Sequence, residues 1–268
     1  MIFKYFLKAI VSNRSLWGWG VLFMMFWLFL GAFIFANGSF LNSRQADLAY
    51  TSSYYGEISL FSFSSLAITI AYTIYYGSSS LAYGFRYTRL RPSRYFLSLM
   101  CASSVMAIIM SAFMLTLTYA LFSRRFGYNL LPSNPLGAFA VSALSGTFMM
   151  SLAILLVIVV VNYLGVRNIG FVGFLPLILS YLLGFGQIYA NLPTWFVYLS
   201  PFNSIASLLY NTYDGSPIHA QVINQTSVTL NWFELLVSIL SWVVTLSVVD
   251  TYLLSRIKPR AIEEARQV

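Results

Sequence analysis

Charge is what this chain has least of. Only 8% of its 268 residues are Asp, Glu, Lys or Arg, against about 25% in an ordinary soluble domain. So few charged side chains cannot solvate the surface of a water-soluble fold. Cysteine is nearly absent too. Cys101 stands alone, which excludes an intramolecular disulfide and a cysteine-ligated metal cluster. One histidine, His219, and seven acidic residues leave no HExxH pair for an intramembrane zinc site. Neither GxxxxGKS nor GxxxxGKT occurs, so nucleotide phosphates find no cradle of that kind.

What the chain does have is grease. It is 59% hydrophobic with a mean hydropathy of +0.77, and its apolar runs are continuous over lengths near the ~20 residues that cross a bilayer as a helix. A transmembrane barrel would show alternation over segments of about ten residues. The fold class expected is therefore an all-α polytopic membrane protein forming a single domain over 1–268. Six spans are expected at about 16–35, 57–83, 95–122, 138–163, 171–190 and 231–254.

The net charge of +8 comes from Lys and Arg clustered beside those runs. That placement marks topology rather than a nucleic-acid groove. The densest cluster is GFRYTRLRPSRY, Gly84 to Tyr95. One arginine at the bilayer centre costs roughly 2.5–3.5 kcal/mol, so Arg86, Arg89, Arg91 and Arg94 together must lie at a membrane face. With the island inside, twelve of the fifteen Lys and Arg fall on the cytoplasmic side, and only Arg44, Arg124 and Arg125 fall outside. Both termini are then cytoplasmic, and the expected location is the cell membrane.

Residues 1–15 carry Lys4, Lys8, Ser12 and Ser15 on one helical face and Phe3, Phe6, Leu7 and Ile10 elsewhere, the pattern of an interfacial amphipathic helix. The alternative is plain basic flanking of the first span. Residues 36–56 and 123–137 are expected as external loops. Two glycosylation-type triplets, at Asn37 and Asn224, also fall on the outside, and a third, at Asn13, falls inside. In the second span Ser62, Ser65, Thr69, Tyr72 and Tyr76 recur at helical spacing. They form either the lining of a substrate path or a close-packed face whose hydroxyls bond their own backbone. Pro176, Gly184 and Gly186 make a kink in the fifth span plausible. The stretch 191–231 has no Lys or Arg and contains Pro193, Pro201 and Pro217. Its short apolar pieces are expected as half-helices dipping into the outer leaflet, with an external loop as the alternative.

Asp47, Glu57, Asp214 and Glu234 are expected in outer loops or at outer span ends, Asp250 near the inner end of the last span, and Glu263 and Glu264 in the tail. With none at depth, an ion-coupled secondary transporter is disfavoured.

This architecture resembles the membrane subunits of the type-2 ABC exporter family. The likeness rests on the amphipathic start, six spans, the basic loop GFRYTRLRPSRYF and the proline-bearing stretch LPTWFVYLSPFNSIASLLY before the last span. The resemblance implies a permease that is not itself an enzyme. Separate ABC ATPase subunits would bring ATP and Mg, and a second permease copy or homologue would complete a dimer among membrane lipids. It also implies coupling residues at Phe85, Arg86, Tyr87, Thr88 and Arg89, a minor contact at Arg167, and an outer gate at Pro193, Trp195 and Pro201. A non-transporting anchor or assembly subunit holding a cytoplasmic partner is the competing class.

Overall fold

The computed structural model describes residues 2–36, 43–88, 90–160, 163, 169–190, 192–219 and 228–257. Helix α1 is Ile2–Val11, and α2 is Arg14–Phe35, opened by Asn13, whose side chain accepts the backbone N–H groups of Ser15 and Leu16. The long α3, Arg44–Tyr87, is capped by Ser43, with Asp47 in its first turn where the helix dipole favours an anion. Pro92 fills the first position of α4, Pro92–Phe126, and Gly127 ends it at φ 79°, a conformation costly for any residue with a Cβ. Asn134 and Pro135 start α5, Pro135–Val159. Then come α6, Gly170–Phe185, a last turn α7, Gly186–Tyr189, the short α8, Thr194–Leu199, and α9, Pro201–Asp214. Two-residue strands β1 (Ile218–His219) and β2 (Thr229–Leu230) pair antiparallel ahead of α10, Trp232–Leu254.

Five of these helices, α2, α3, α4, α5 and α10, are long and apolar enough to cross a membrane. Among the described residues the protein is all-helical apart from the two-residue strand pair, and its long apolar helices mark it as membrane-embedded. On α10 one face is buried through Leu235, Ile239, Leu246 and Leu254, yet Val237, Leu240, Val244 and Val248 are exposed. A helix apolar on its open side as well as its packed side belongs in lipid. At 1.5 Å per residue, the 44 residues of α3 extend about 66 Å, roughly twice the ~30 Å hydrocarbon core. Its two ends therefore stand outside the apolar layer, which is where Arg44 and Arg86 lie.

Most of the expected outer loop 36–56 is helix, because α3 starts at Arg44. The polar stretch that looked like loop satisfies itself: the hydroxyls of Thr51, Ser52 and Ser53 donate to the carbonyls of Asp47, Leu48 and Ala49 at 2.7–2.8 Å. Likewise α4 runs on to Phe126, and of the described residues of the expected basic loop only 88, 90 and 91 lie outside helix. Asn37 and Asn224 fall outside the described residues. Asn13, in the third such triplet, is the cap of α2.

α2 meets α3 at two glycines. A Cβ on Gly20 would stand 2.2 Å from Ser65 Oγ, and one on Gly31 would stand 2.2 Å from Tyr54 Cε1. At both places the α2 backbone winds into π-helix, Gly18–Leu22 and Gly31–Phe35, and at both a side chain of α3 takes its carbonyl: Ser62 donates to Gly20 O (2.6 Å) and Tyr50 to Gly31 O (3.0 Å). Diverting a carbonyl from the helical ladder is a recognised cause of such local rewinding. α6 changes in the same way after Pro176, becoming π-helical over Ser180–Phe185.

Candidate functional site

One end of the bundle is built from the last turn of α3, the first turns of α4, and α1. Phe85 meets the ring of Tyr95 edge to face (5.6 Å, 84°), and Tyr95 meets Phe6 the same way (5.0 Å, 88°). Thr88 ends α3, its hydroxyl donating to Gly84 O (2.6 Å) and accepting from Leu90 N (3.1 Å). Around this anchored turn Arg86, Tyr87, Thr88, Arg91 and Arg94 are exposed, and Tyr87 stacks on Tyr83 (6.0 Å, 24°). The structure thus brings half-buried Phe85, packed on Tyr95, together with exposed Arg86, Tyr87 and Thr88 as a foot with a cationic, aromatic rim. Arg89 and Arg167 lie outside the described residues.

The five residues of the polar face divide. Ser62 is spent on Gly20 of α2, Ser65 donates to Ser62 O (2.7 Å), and Thr69 to Ser65 O (3.1 Å); all three are buried. Tyr72 and Tyr76 stack on each other (6.1 Å, 13°), Tyr72 beside Gly173 of α6 and Tyr76 open at the surface. The expected gate residues divide too. Trp195 on α8 is exposed and Pro193 caps that helix, whereas Pro201 is buried as the first residue of α9.

The opposite end is tied across segments far apart in sequence. Tyr213 at the end of α9 donates to Leu130 O (2.8 Å). Ser133 and Asn134 donate backbone N–H groups to Tyr213 O and Thr212 O (both 2.9 Å), and Tyr128 donates to Asp47. Arg125, which the charge rule placed on the unexpected side, reaches Ala36 O at the end of α2 (3.2 Å) and so completes a helix terminus. Burial pushes the Asp214 carboxyl above the usual carboxylate range, partly offset by the Ser216 N–H it accepts.

Between the ends lies a polar cluster that spacing did not reveal. Glu57 is 13 residues, about 20 Å, into α3, and it is buried. Its Oε2 has no hydrogen-bond partner and lies so close to α6 that a Cβ on Gly184 would stand 2.8 Å from it. Glu57 shares a pocket with Ser53, Gln187 of α7, Ser207 and Tyr210 of α9, and His219. Gln187 donates to Ser207 (3.0 Å) and accepts from Asn203 Nδ2 (3.0 Å), while Asn203 Oδ1 is buried and unbonded. Asp250 on α10 is also fully buried, facing Ser151 of α5, with neither carboxyl oxygen hydrogen-bonded. Glu57 was expected at the outer end of the second span; that it is buried there could not be read from spacing, because the elements that cover it, α6, α7 and α9, come more than 100 residues later. The one advance sign was a glutamine and an asparagine inside otherwise apolar pieces.

No family model and no curated protein sequence matches the chain.

Proposed function

We propose that the chain is the membrane-spanning permease subunit of an ATP-driven exporter of the type-2 ABC kind, moving an amphipathic substrate outward. The observation that carries this reading is the end formed by α3 and α4: an aromatic foot in which half-buried Phe85 and Phe6 close on buried Tyr95, under exposed Arg86, Tyr87, Arg91 and Arg94. Such an end offers charge and ring surface to a protein while its base is held by the bundle. In this reading the spans number six, with α6 and α7 as the fifth, and both termini lie in the cytoplasm. α8 and α9 are re-entrant outer helices; their packing against α3, α5 and α10 supports that, since helix ends at membrane depth need protein cover.

Two permeases, identical or homologous, pair in the lipid bilayer, and two ATPases carrying ATP and Mg dock at Phe85 to Arg89, with Arg167 as a lesser contact. ATP binding drives transport only if the closed and open ATPase states press differently on that contact. The substrate path runs between the two halves past Tyr72 and Tyr76, the two members of the polar face that reach toward α6 and the surface. Pro193, Trp195 and Pro201 frame its outer exit. The test is to reconstitute the chain with its ATPase and measure substrate-stimulated hydrolysis. Arg86→Ala with Arg89→Ala is expected to abolish stimulation while the permease still melts like the wild type. Full stimulation in an intact complex would overturn the docking role, and a stable complex that moves no substrate would favour the anchor reading.

A further inference from the structure

Glu57 has oxygen neighbours but no donor for its second oxygen. The side chains gathered around it are Gln187, Ser207, Ser53 and Tyr210, with Asn203 joined to them through Gln187. Two acceptors in this group, Glu57 Oε2 and Asn203 Oδ1, are buried and unbonded. A buried carboxylate persists only when it is paired or coordinated. Beside Glu57 the lining offers the hydroxyls of Ser53, Ser207 and Tyr210 and the amide of Gln187, with one imidazole, His219; oxygen donors of this kind suit a hard cation. The pocket's one acid supplies one negative charge, so a divalent ion would leave an uncompensated positive charge in the interior. Gly184 presses backbone against Glu57, which leaves no room for an organic headgroup on that side.

We propose that this pocket is a binding site for a single monovalent metal cation, sodium as the probe, held by Glu57 with oxygens of Asn203 and Ser207. The cation would join Glu57 on α3 to Asn203 and Ser207 on α9, about 150 residues further along the chain, and so lock α9 onto the long helix. His219 lines the same pocket. The proposal stands apart from the permease reading, because it is tested on the isolated chain without an ATPase.

The experiment melts the purified full chain in detergent in sodium chloride and in choline chloride of equal ionic strength, alongside radioactive sodium binding. A rise in Tm of about 4 °C or more in sodium is expected. Glu57→Gln is expected to abolish both the rise and the binding, and Ser207→Ala to weaken sodium binding about tenfold. Equal melting of the wild type in both salts would overturn the proposal and leave a proton as the neutralising partner. A full sodium response in Glu57→Gln would overturn it as well. Should that variant fail to melt cooperatively, unchanged sodium affinity in Ser207→Ala would do so.

Discussion

The two ends of this molecule are held by different physics. At the Arg125 end, hydrogen bonds cross between segments: Tyr213 to Leu130, Ser133 and Asn134 to α9, Tyr128 to Asp47, Arg125 to Ala36. At the Arg86 end, the segments meet through edge-on rings, Phe6, Tyr95 and Phe85, and the arginines face outward. Hydrogen-bonded crossings fix register, whereas a ring cluster resists separation yet tolerates small slides. The difference makes one end a frame and the other a hinge with an exposed handle.

The most forceful way to break this contrast is Tyr95→Ala, which removes the ring shared by Phe6 and Phe85. It is expected to cost about 3–5 kcal/mol and to open α1 to protease in detergent; an unchanged cleavage rate at α1 would show that the rings are not the clasp. Tyr213→Phe tests the other end by stranding the buried Leu130 carbonyl, with an expected loss of about 1–3 kcal/mol in chemical denaturation. Asp214 gives that end a pH signature. Because burial raises its folded pKa, the folded state binds the proton more tightly than the unfolded one. The associated stability is present at acidic pH and is lost as pH rises through the raised value. Asp214→Asn should flatten that part of the stability profile. The smallest effect belongs to Arg86→Ala and Arg94→Ala, both exposed, whose melting should match the wild type within about 0.5 kcal/mol.

Spans were legible where burial and lipid demand the same side chains, as in 232–254, since an unbroken apolar run serves a packed face and an open one alike. The start of α3 was not, because serine, threonine and tyrosine look like loop residues until their hydroxyls are seen bonded four residues back. The arginine island was visible as charge, but the ring clasp beneath it was not, since Phe6 and Tyr95 are 89 positions apart. The pocket at Glu57 was invisible for the same reason: its meaning depends on Gly184, Gln187 and Asn203, and no local pattern ties them to it.

The self-bonded hydroxyls of α3 carry a mechanical consequence. Ser65, Thr69 and Thr73 each return their proton to their own helix, so turning or shifting this rod along its neighbours leaves those bonds intact. The bonds that would have to let go are those that cross to other elements: Tyr50 to Gly31, Ser62 to Gly20, Tyr55 with Ser111, Ser64 with Ser180 and Tyr128 to Asp47. The longest described helix is thus gripped by close packing and by those crossing bonds, while the hydroxyls of Ser65, Thr69 and Thr73 add polarity to it without adding a tie.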